Sequence, residues 1–461
     1  MNPHSESQNT PLDLAAATRR RTLAWLMLGS PAAWLGTASI AHGQAIFAPI
    51  PPPPSEQAST QFFSTNGVAA ETILTSAAPD PDSRHPLKWG PFVAHPRVDY
   101  QFMRANGIRQ GTNKVDTFLN SINPGVGVQM GRQWYLDSGL SYGNYSHRAL
   151  SDTFGYNVGL NGGIPRGDWT LGVGAGLHRT EVSQTETALQ TTQDYYDVGL
   201  SAVYHGYNRT TVELALNQHI SLSSGFNDSY GWSTMDWLNY AVTRKTSVGL
   251  GVGGGFTMVE AGAFSITNYN IRVPINDPNA NVLRTTTGTD SINEQVQGRF
   301  VWRPLEKVSV NVSAGVQIQQ FLLDAGMRST ANPIFSVSSG WSPFAGTSFS
   351  LSGSRLIGNS IASDEYTEAT SLAFTYSQRL LKHLTLNLTP TYDLTSFQPS
   401  ARPGGPASRT DTVFAMNASL STVLFRRFTV ATFFRYMSSS SDLENYGYST
   451  RQFGLQLGYH F

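Results

Sequence analysis

The chain has 461 residues, with 31 basic and 31 acidic side chains and a formal net charge of zero. Charged residues make up 13%, about half the usual share, and nothing in this balance points to nucleic acid or to a charged disordered tail. The absence of cysteine excludes a disulfide scaffold, thiolate-bound zinc and a thiol nucleophile. What replaces the missing charge is Gly, Ser, Thr, Asn and Gln, while 40% of the residues are apolar. A wall with lipid on one side and uncharged polar groups on the other has this balance.

The N-terminus reads as a targeting segment. Arg19, Arg20 and Arg21 precede a mostly apolar stretch from Thr22 to Ala41, and small residues, Gly43 and Ala45, flank a cut after Ala45. This order predicts a signal peptide over residues 1–45. Pro31 and Gly36 interrupt the apolar run, which argues against a permanent helical anchor. Pro51 to Pro54 favour extended polyproline, and no sustained period follows before residue 90. Residues 46–90 are predicted to form a Pro-rich periplasmic linker, largely disordered.

From residue 91 the period is two. Phe453, Leu455, Leu457, Tyr459 and Phe461 alternate with Gln452, Gly454, Gln456, Gly458 and His460. Leu384, Leu386 and Leu388 alternate with Thr385, Asn387 and Thr389, and Val308, Val310 and Val312 with Ser309, Asn311 and Ser313. Such runs extend over 10 to 15 residues, beyond ordinary soluble strands and sufficient to cross lipid at a tilt. The fold class predicted for residues 91–461 is all-β, a single transmembrane antiparallel barrel of about 18 strands, with 16 as the alternative count. An even count puts both barrel ends on the periplasmic side, where the linker enters.

Links between the strands alternate in length. Short ones sit at Arg132, Pro165–Asp168, Asn208, Lys245, Pro304–Lys307, Ala345–Gly346, Lys382–His383 and Phe425–Arg427. Longer polar loops are expected at 106–120, 183–193, 261–291, 323–332, 358–368, 398–410 and 439–446. This asymmetry is the mark of outer-membrane barrels. Trp134, Trp169, Trp302 and Phe428 beside short turns, and Tyr145, Phe154, Tyr196, Phe321 and Tyr436 near long loops, are expected to form two aromatic girdles.

The ending Leu455-Gln-Leu-Gly-Tyr-His-Phe461 resembles the C-terminal assembly signal of Gram-negative outer-membrane proteins. The resemblance implies that Leu457, Tyr459 and Phe461 are read by the barrel-assembly machinery. Residues 90–461, with stretches such as Trp341-Ser-Pro-Phe-Ala-Gly-Thr-Ser-Phe-Ser-Leu-Ser-Gly-Ser-Arg355, also resemble the β-barrel porins associated with exopolysaccharide export loci. That resemblance implies export of a polysaccharide or oligosaccharide through an outer-membrane channel.

Ionisable residues on the polar faces are few and spread out. Arg97, Asp99, Glu213, Arg299, Arg303, Asn311, Gln317, Arg379, Asn387, Asp393, Arg435 and Gln456 are the predicted lumen-lining residues. Arg379 and Asp393, on neighbouring strands, are expected to pair. His95, Asp137, His178, Asp197, His205, His219 and His460 share the inward faces, but their spacing does not build a metal site or a Ser–His–acid triad. No cofactor and no catalytic residue is assigned. The run Gly249–Gly255 lacks the Lys-Ser/Thr and the helix of a phosphate loop, and reads as glycine opening lumen space. The function predicted is passive passage of polar solutes, the alternatives being an adhesive or structural protein acting through its loops, and an outer-membrane hydrolase. Membrane lipid, the assembly machinery and a polysaccharide are the predicted partners; nucleic acid is not.

Overall fold

A computed structural model describes residues 87–460, apart from 111–112, 132, 184–189, 207–208, 261–262, 266–282, 286–289, 324–325, 361–364, 382, 400–407, 426 and 443–446. The expected signal peptide, most of the expected linker, and Phe461 lie outside these residues. So do most of the loops at 261–291 and 398–410.

Eighteen long strands follow one another. They are β1 (Phe92–Gln110), β2 (Asn113–Met130), β3 (Trp134–Tyr145), β4 (Thr153–Arg166), β5 (Trp169–Ser183) and β6 (Gln190–His205). Next come β7 (Thr210–Ser223), β8 (Asp228–Thr243), β9 (Thr246–Glu260), β10 (Ser291–Leu305), β11 (Val308–Leu323) and β12 (Gly326–Phe344). The last are β13 (Thr347–Asn359), β14 (Glu365–Leu380), β15 (Leu384–Pro399), β16 (Arg409–Leu424), β17 (Phe428–Ser441) and β18 (Tyr448–His460). Each pairs antiparallel with its neighbours in sequence. β1 and β18 close the ring, in register from Arg97↔His460 to Asn106↔Arg451. The short strand Leu87–Trp89 folds back on Phe92–Ala94, the part of β1 that β18 does not reach. A pair Ala263–Ser265 and Leu283–Thr285 stands apart in the β9–β10 link.

Two faces separate along every strand. Val248, Leu250 and Val252, Val316 and Ile318, and Phe453, Leu455 and Leu457 are large, apolar and exposed. Their neighbours Gln297, Gln317, Gln319 and Gln452 are buried and polar. Apolar side chains bare on the outside and polar ones enclosed invert a soluble protein, and lipid is the solvent that makes this arrangement favourable. The closed ring leaves no unpaired edge inside that solvent. The chain is an outer-membrane-type β-barrel, with turns of two to four residues at the end holding the start of β1 and the finish of β18.

Above the apolar belt the two faces exchange character. Residues 106–120 do not form the expected polar loop: β1 runs to Gln110 and β2 starts at Asn113. There Lys114 and Asp116 point outward and are exposed, while Val115 and Thr117 point inward and are buried. The wall projects beyond the bilayer, where water lies outside, so the ordinary soluble arrangement returns. The expected loops at 183–193 and 323–332 are shortened in the same way, with β6 beginning at Gln190 and β12 at Gly326. Met103, Ala105, Ile108, Val115, Leu119, Val413, Ala415, Phe433, Met437 and Tyr448 form an apolar cluster inside this part of the barrel. Two expected girdle residues belong inside as well. Phe321 has the same parity as Gln317 and Gln319 and is 2% exposed, and Tyr145 packs on the apolar cluster. Trp169, Trp302, Phe428, Phe154 and Tyr196 do face outward and are exposed.

Alternation makes a direct prediction. Val316, at mid-strand and 49% exposed, should not tolerate charge: Val316→Arg should destabilise by about 2–4 kcal/mol in unfolding measured from lipid vesicles. Ser338, inward on the adjacent strand, should accept Arg at a cost of less than about 1 kcal/mol.

Candidate functional site

The interior wall is built on one recurring device. An arginine faces an inward glycine of the next strand and reaches an acceptor beyond it. Arg97 on β1 faces Gly125 on β2, and its guanidinium passes 3.1 Å from where a Cβ at Gly125 would stand. It donates to both oxygens of Asp137 on β3, at 2.8 and 3.1 Å. Asn157 on β4 donates to the same carboxylate at 3.0 Å.

The second instance is longer. Arg299 on β10 faces Gly249 on β9, which in turn faces Asn239 on β8. Its Nη2 donates to Asn239 Oδ1 at 2.6 Å and to Glu213 Oε2 on β7 at 2.8 Å. Asn239 also donates to Glu213 Oε1 at 2.9 Å. The guanidinium lies 4.2 Å from the Trp237 ring centroid, a cation–π contact. Trp237 itself needs the glycine run: a Cβ at Gly251 would fall 2.7 Å from its ring and 2.5 Å from Met235 Cε. The inward space left by Gly249, Gly251 and Gly253 is thus taken up by Asn239, Trp237, Met235 and Gln295 rather than opened to the lumen.

A third group lines β5 to β7. His178 stacks on Tyr195 at 4.5 Å, and Tyr195 meets His219 at 5.8 Å. His219 Nδ1 is hydrogen-bonded to Asp197 across the β6–β7 pair. Tyr195 Oη donates to Gln193 Oε1 at 2.6 Å, and Gln193 Nε2 donates to Ser223 Oγ at 3.2 Å. Among the described residues no set of three or more His, Asp and Glu is placed to hold one metal ion.

All twelve residues predicted to line the lumen carry the inward parity of their strands. Only Arg97 with Asp137, and Arg299 with Glu213, join the ion-paired groups above. Asp393 accepts from Ser371, and Arg435 donates to Asn417 at 2.6 Å. The expected pairing of Arg379 with Asp393 is not made. Arg379 stands opposite Thr385 while Asp393 stands opposite Ser371, far along the same strand pair. Asp99, Arg303, Asn311, Gln317, Asn387 and Gln456 are distributed around the wall. Trp237, Asn239 and Asn417 were missed because a neutral residue of inward parity carries no sign of which charge it serves. Several inward atoms, Gln317 Nε2, Gln319 Oε1, Thr450 Oγ1 and both amide atoms of Gln452, have no protein partner among the described residues. A buried polar atom left unmade costs about 1–3 kcal/mol, so these positions call for water or a polar solute.

The outer mouth is narrowed by three segments. Residues 146–152, between β3 and β4, turn inward and bury Leu150 in the apolar cluster. Ser151 exchanges two hydrogen bonds with the Gln190 side chain, at 2.9 and 2.8 Å. Hydrogen bonds from the Asn144 amide and the Tyr142 hydroxyl hold the Asp152 carboxyl below the usual carboxylate range. The β13–β14 hairpin parts from β12 beyond Arg355, and its Ile357 and Tyr366 pack on inward Phe321 and Ile334. From the β7–β8 turn, Asn227 Nδ2 reaches Ser360 O at 3.5 Å. Two links a third of the way round the barrel from each other thus meet.

No protein-family model matches this chain, and no curated protein matches it. Among solved structures, Pseudomonas aeruginosa OpdL is 12% identical with a TM-score of 0.41, covering 81% of this chain and 99% of that one. The FrpB iron transporter from Neisseria meningitidis is 8% identical with a TM-score of 0.41, covering 80% and 81%. The copper transporter OprC is 11% identical with a TM-score of 0.39, and the chain spans only 62% of its length. At these values the likenesses add nothing to the barrel already described.

Two outcomes follow from this geometry. Glu213→Gln removes a charged acceptor from buried Arg299 and should cost about 1.5–3 kcal/mol in unfolding, while the reversal potential across a salt gradient moves toward the anion. The depressed Asp152 pKa contributes stability that is complete above the ordinary carboxylate pKa, and it is lost only as pH falls through the lower folded value. Segment 146–152 should therefore remain anchored at every pH above about 4, measured as constant protease resistance.

Proposed function

We propose that the protein is an outer-membrane channel of a Gram-negative bacterium that passes small polar solutes, with its outer mouth set by the inward-folded segments. The observation that carries this reading is the inner wall. Two of its arginines are neutralised sideways along the wall, Arg97 by Asp137 and Arg299 by Glu213, among uncharged polar side chains. Such a surface wets readily and presents donors and acceptors without a strong net field. Neutral hydroxylated solutes exchange their water for Gln, Asn, Ser and Thr at little cost.

Passage of an exported polysaccharide is the more demanding form of the same reading, because a polymer would have to thread past the Asn227–Ser360 contact and past Leu150. An adhesive role would rest on the loops at 261–291 and 398–410. A hydrolase would need a converging nucleophile and base.

The test uses the purified full chain in planar bilayers and in liposomes. Conductance with near-equal cation and anion permeability, and swelling in neutral monosaccharide and disaccharide, are the expected results. Swelling in long oligosaccharides would extend the reading to the polymer. A folded barrel without conductance would overturn it. Because the chain has no native cysteine, Asn227→Cys with Ser360→Cys can be bridged by a bifunctional thiol reagent. Conductance should then change on bridging if solutes pass between these links, and the single-cysteine variants should show no change.

A further inference from the structure

The barrel seam carries a basic pocket on its outer wall, distinct from the lumen. A cavity of about 410 Å³ lies where β1 and β18 stop pairing. Its wall includes Arg104, Asn106, Arg451, Phe434 and Phe453. Gly107 shapes it: this residue bulges with φ of +77°, and a Cβ there would stand 2.5 Å from Ser449 O. Any other residue would strain the turn and push the two strands apart.

The outward face of the seam changes character with height. Read from the periplasmic end, its facing pairs are Val98 with Tyr459, Tyr100 with Leu457, Phe102 with Leu455, Arg104 with Phe453, and Asn106 with Arg451. From Phe92 to Phe102 the strand climbs roughly 25 Å at about 3.3 Å per residue and a tilt of about 40°, which is the height of a membrane barrel's apolar band. Arg104 and Arg451 follow directly above, at the level of lipid headgroups. Both are exposed, and neither makes an ion pair or a hydrogen bond among the described residues; Arg104 lies only over the Phe118 ring, at 5.7 Å. The nearby acid, Asp116, is already engaged by Gly107 N at 2.8 Å and by Asn106 Nδ2.

We infer that this pocket binds the phosphorylated headgroup of an outer-leaflet glycolipid, with the two guanidinium groups on phosphate and the acyl chains on the apolar face below. Planar guanidinium forks match phosphate oxygens, and paired arginines at the interface are a headgroup site. Phe102, Phe453, Leu455 and Leu457, all exposed, continue the pocket downward as a surface for the chains. The inference rests on the membrane placement of the barrel and not on conduction. Loss of conductance with lipid binding intact would fail the channel alone.

The experiment measures lipid bound to the detergent-solubilised full chain by native mass spectrometry. The probes are a bisphosphorylated glucosamine lipid, the same lipid without phosphates, and inorganic phosphate as competitor. The bisphosphorylated lipid should bind the unaltered protein at least tenfold more tightly than the dephosphorylated one. Arg104→Ala with Arg451→Ala should abolish that preference. Arg179→Ala, which breaks an outward ion pair with Asp194 elsewhere on the wall, should leave it unchanged. Equal binding of the two lipids by the unaltered protein would overturn the proposal without recourse to any variant. Displacement of the lipid by equimolar inorganic phosphate would overturn the assignment to a lipid.

Discussion

A peptide group in hydrocarbon has no water to turn to, and that constraint governs everything else in this molecule. Each of the eighteen strands must be paired on both sides, so the last must find the first, and the register from Arg97↔His460 to Asn106↔Arg451 does this. Once the ring is closed, the two-residue period of the backbone assigns every side chain to lipid or to the interior. Val316 and Gln317 are neighbours in sequence and opposites in environment because of this closure alone.

Within the ring, glycine has a role that is neither turn nor bulge. On the inward faces of β2 and β9, Gly125 and Gly249 leave a shallow channel one strand wide. Arg97 lies over Gly125 and the Asn239 amide lies over Gly249, and the two arginines meet their carboxylates two and three strands away. A larger residue would meet Arg97 at the first position and Asn239, the acceptor of Arg299, at the second. The wall therefore stores its charge as short dipoles lying parallel to the surface, whose field decays faster than that of a lone charge.

The barrel was legible in the sequence because the lipid belt imposes strict alternation, and the expected count of about 18 strands is the one observed. What was hidden lies where that solvent ends. Lys114, Val115, Asp116 and Thr117 still alternate, but with charged residues outward, and a reading tuned to lipid takes them for a loop. Phe321 and Tyr145 follow from the same cause, since an aromatic near a strand end can be a girdle residue or an interior one, and only its parity separates the two. Inward parity of the predicted lining residues could be read directly. Their partners could not: the contact of Arg299 with Glu213 spans 86 positions in sequence and depends on which strand carries glycine. The meeting of Asn227 with Ser360 depends on loop paths that no period encodes.

The three residues Leu87–Trp89 sit at the foot of the barrel seam. β18 ends at His460, opposite Arg97, and leaves the lowest stretch of β1 without a partner on that side. The short strand covers Phe92–Ala94 from the same edge. Without it, a row of free amides and carbonyls would face outward at the membrane surface, open to strand exchange with a neighbouring barrel in a crowded bilayer. With it, Phe92–Ala94 is paired on that side as soon as the chain has closed.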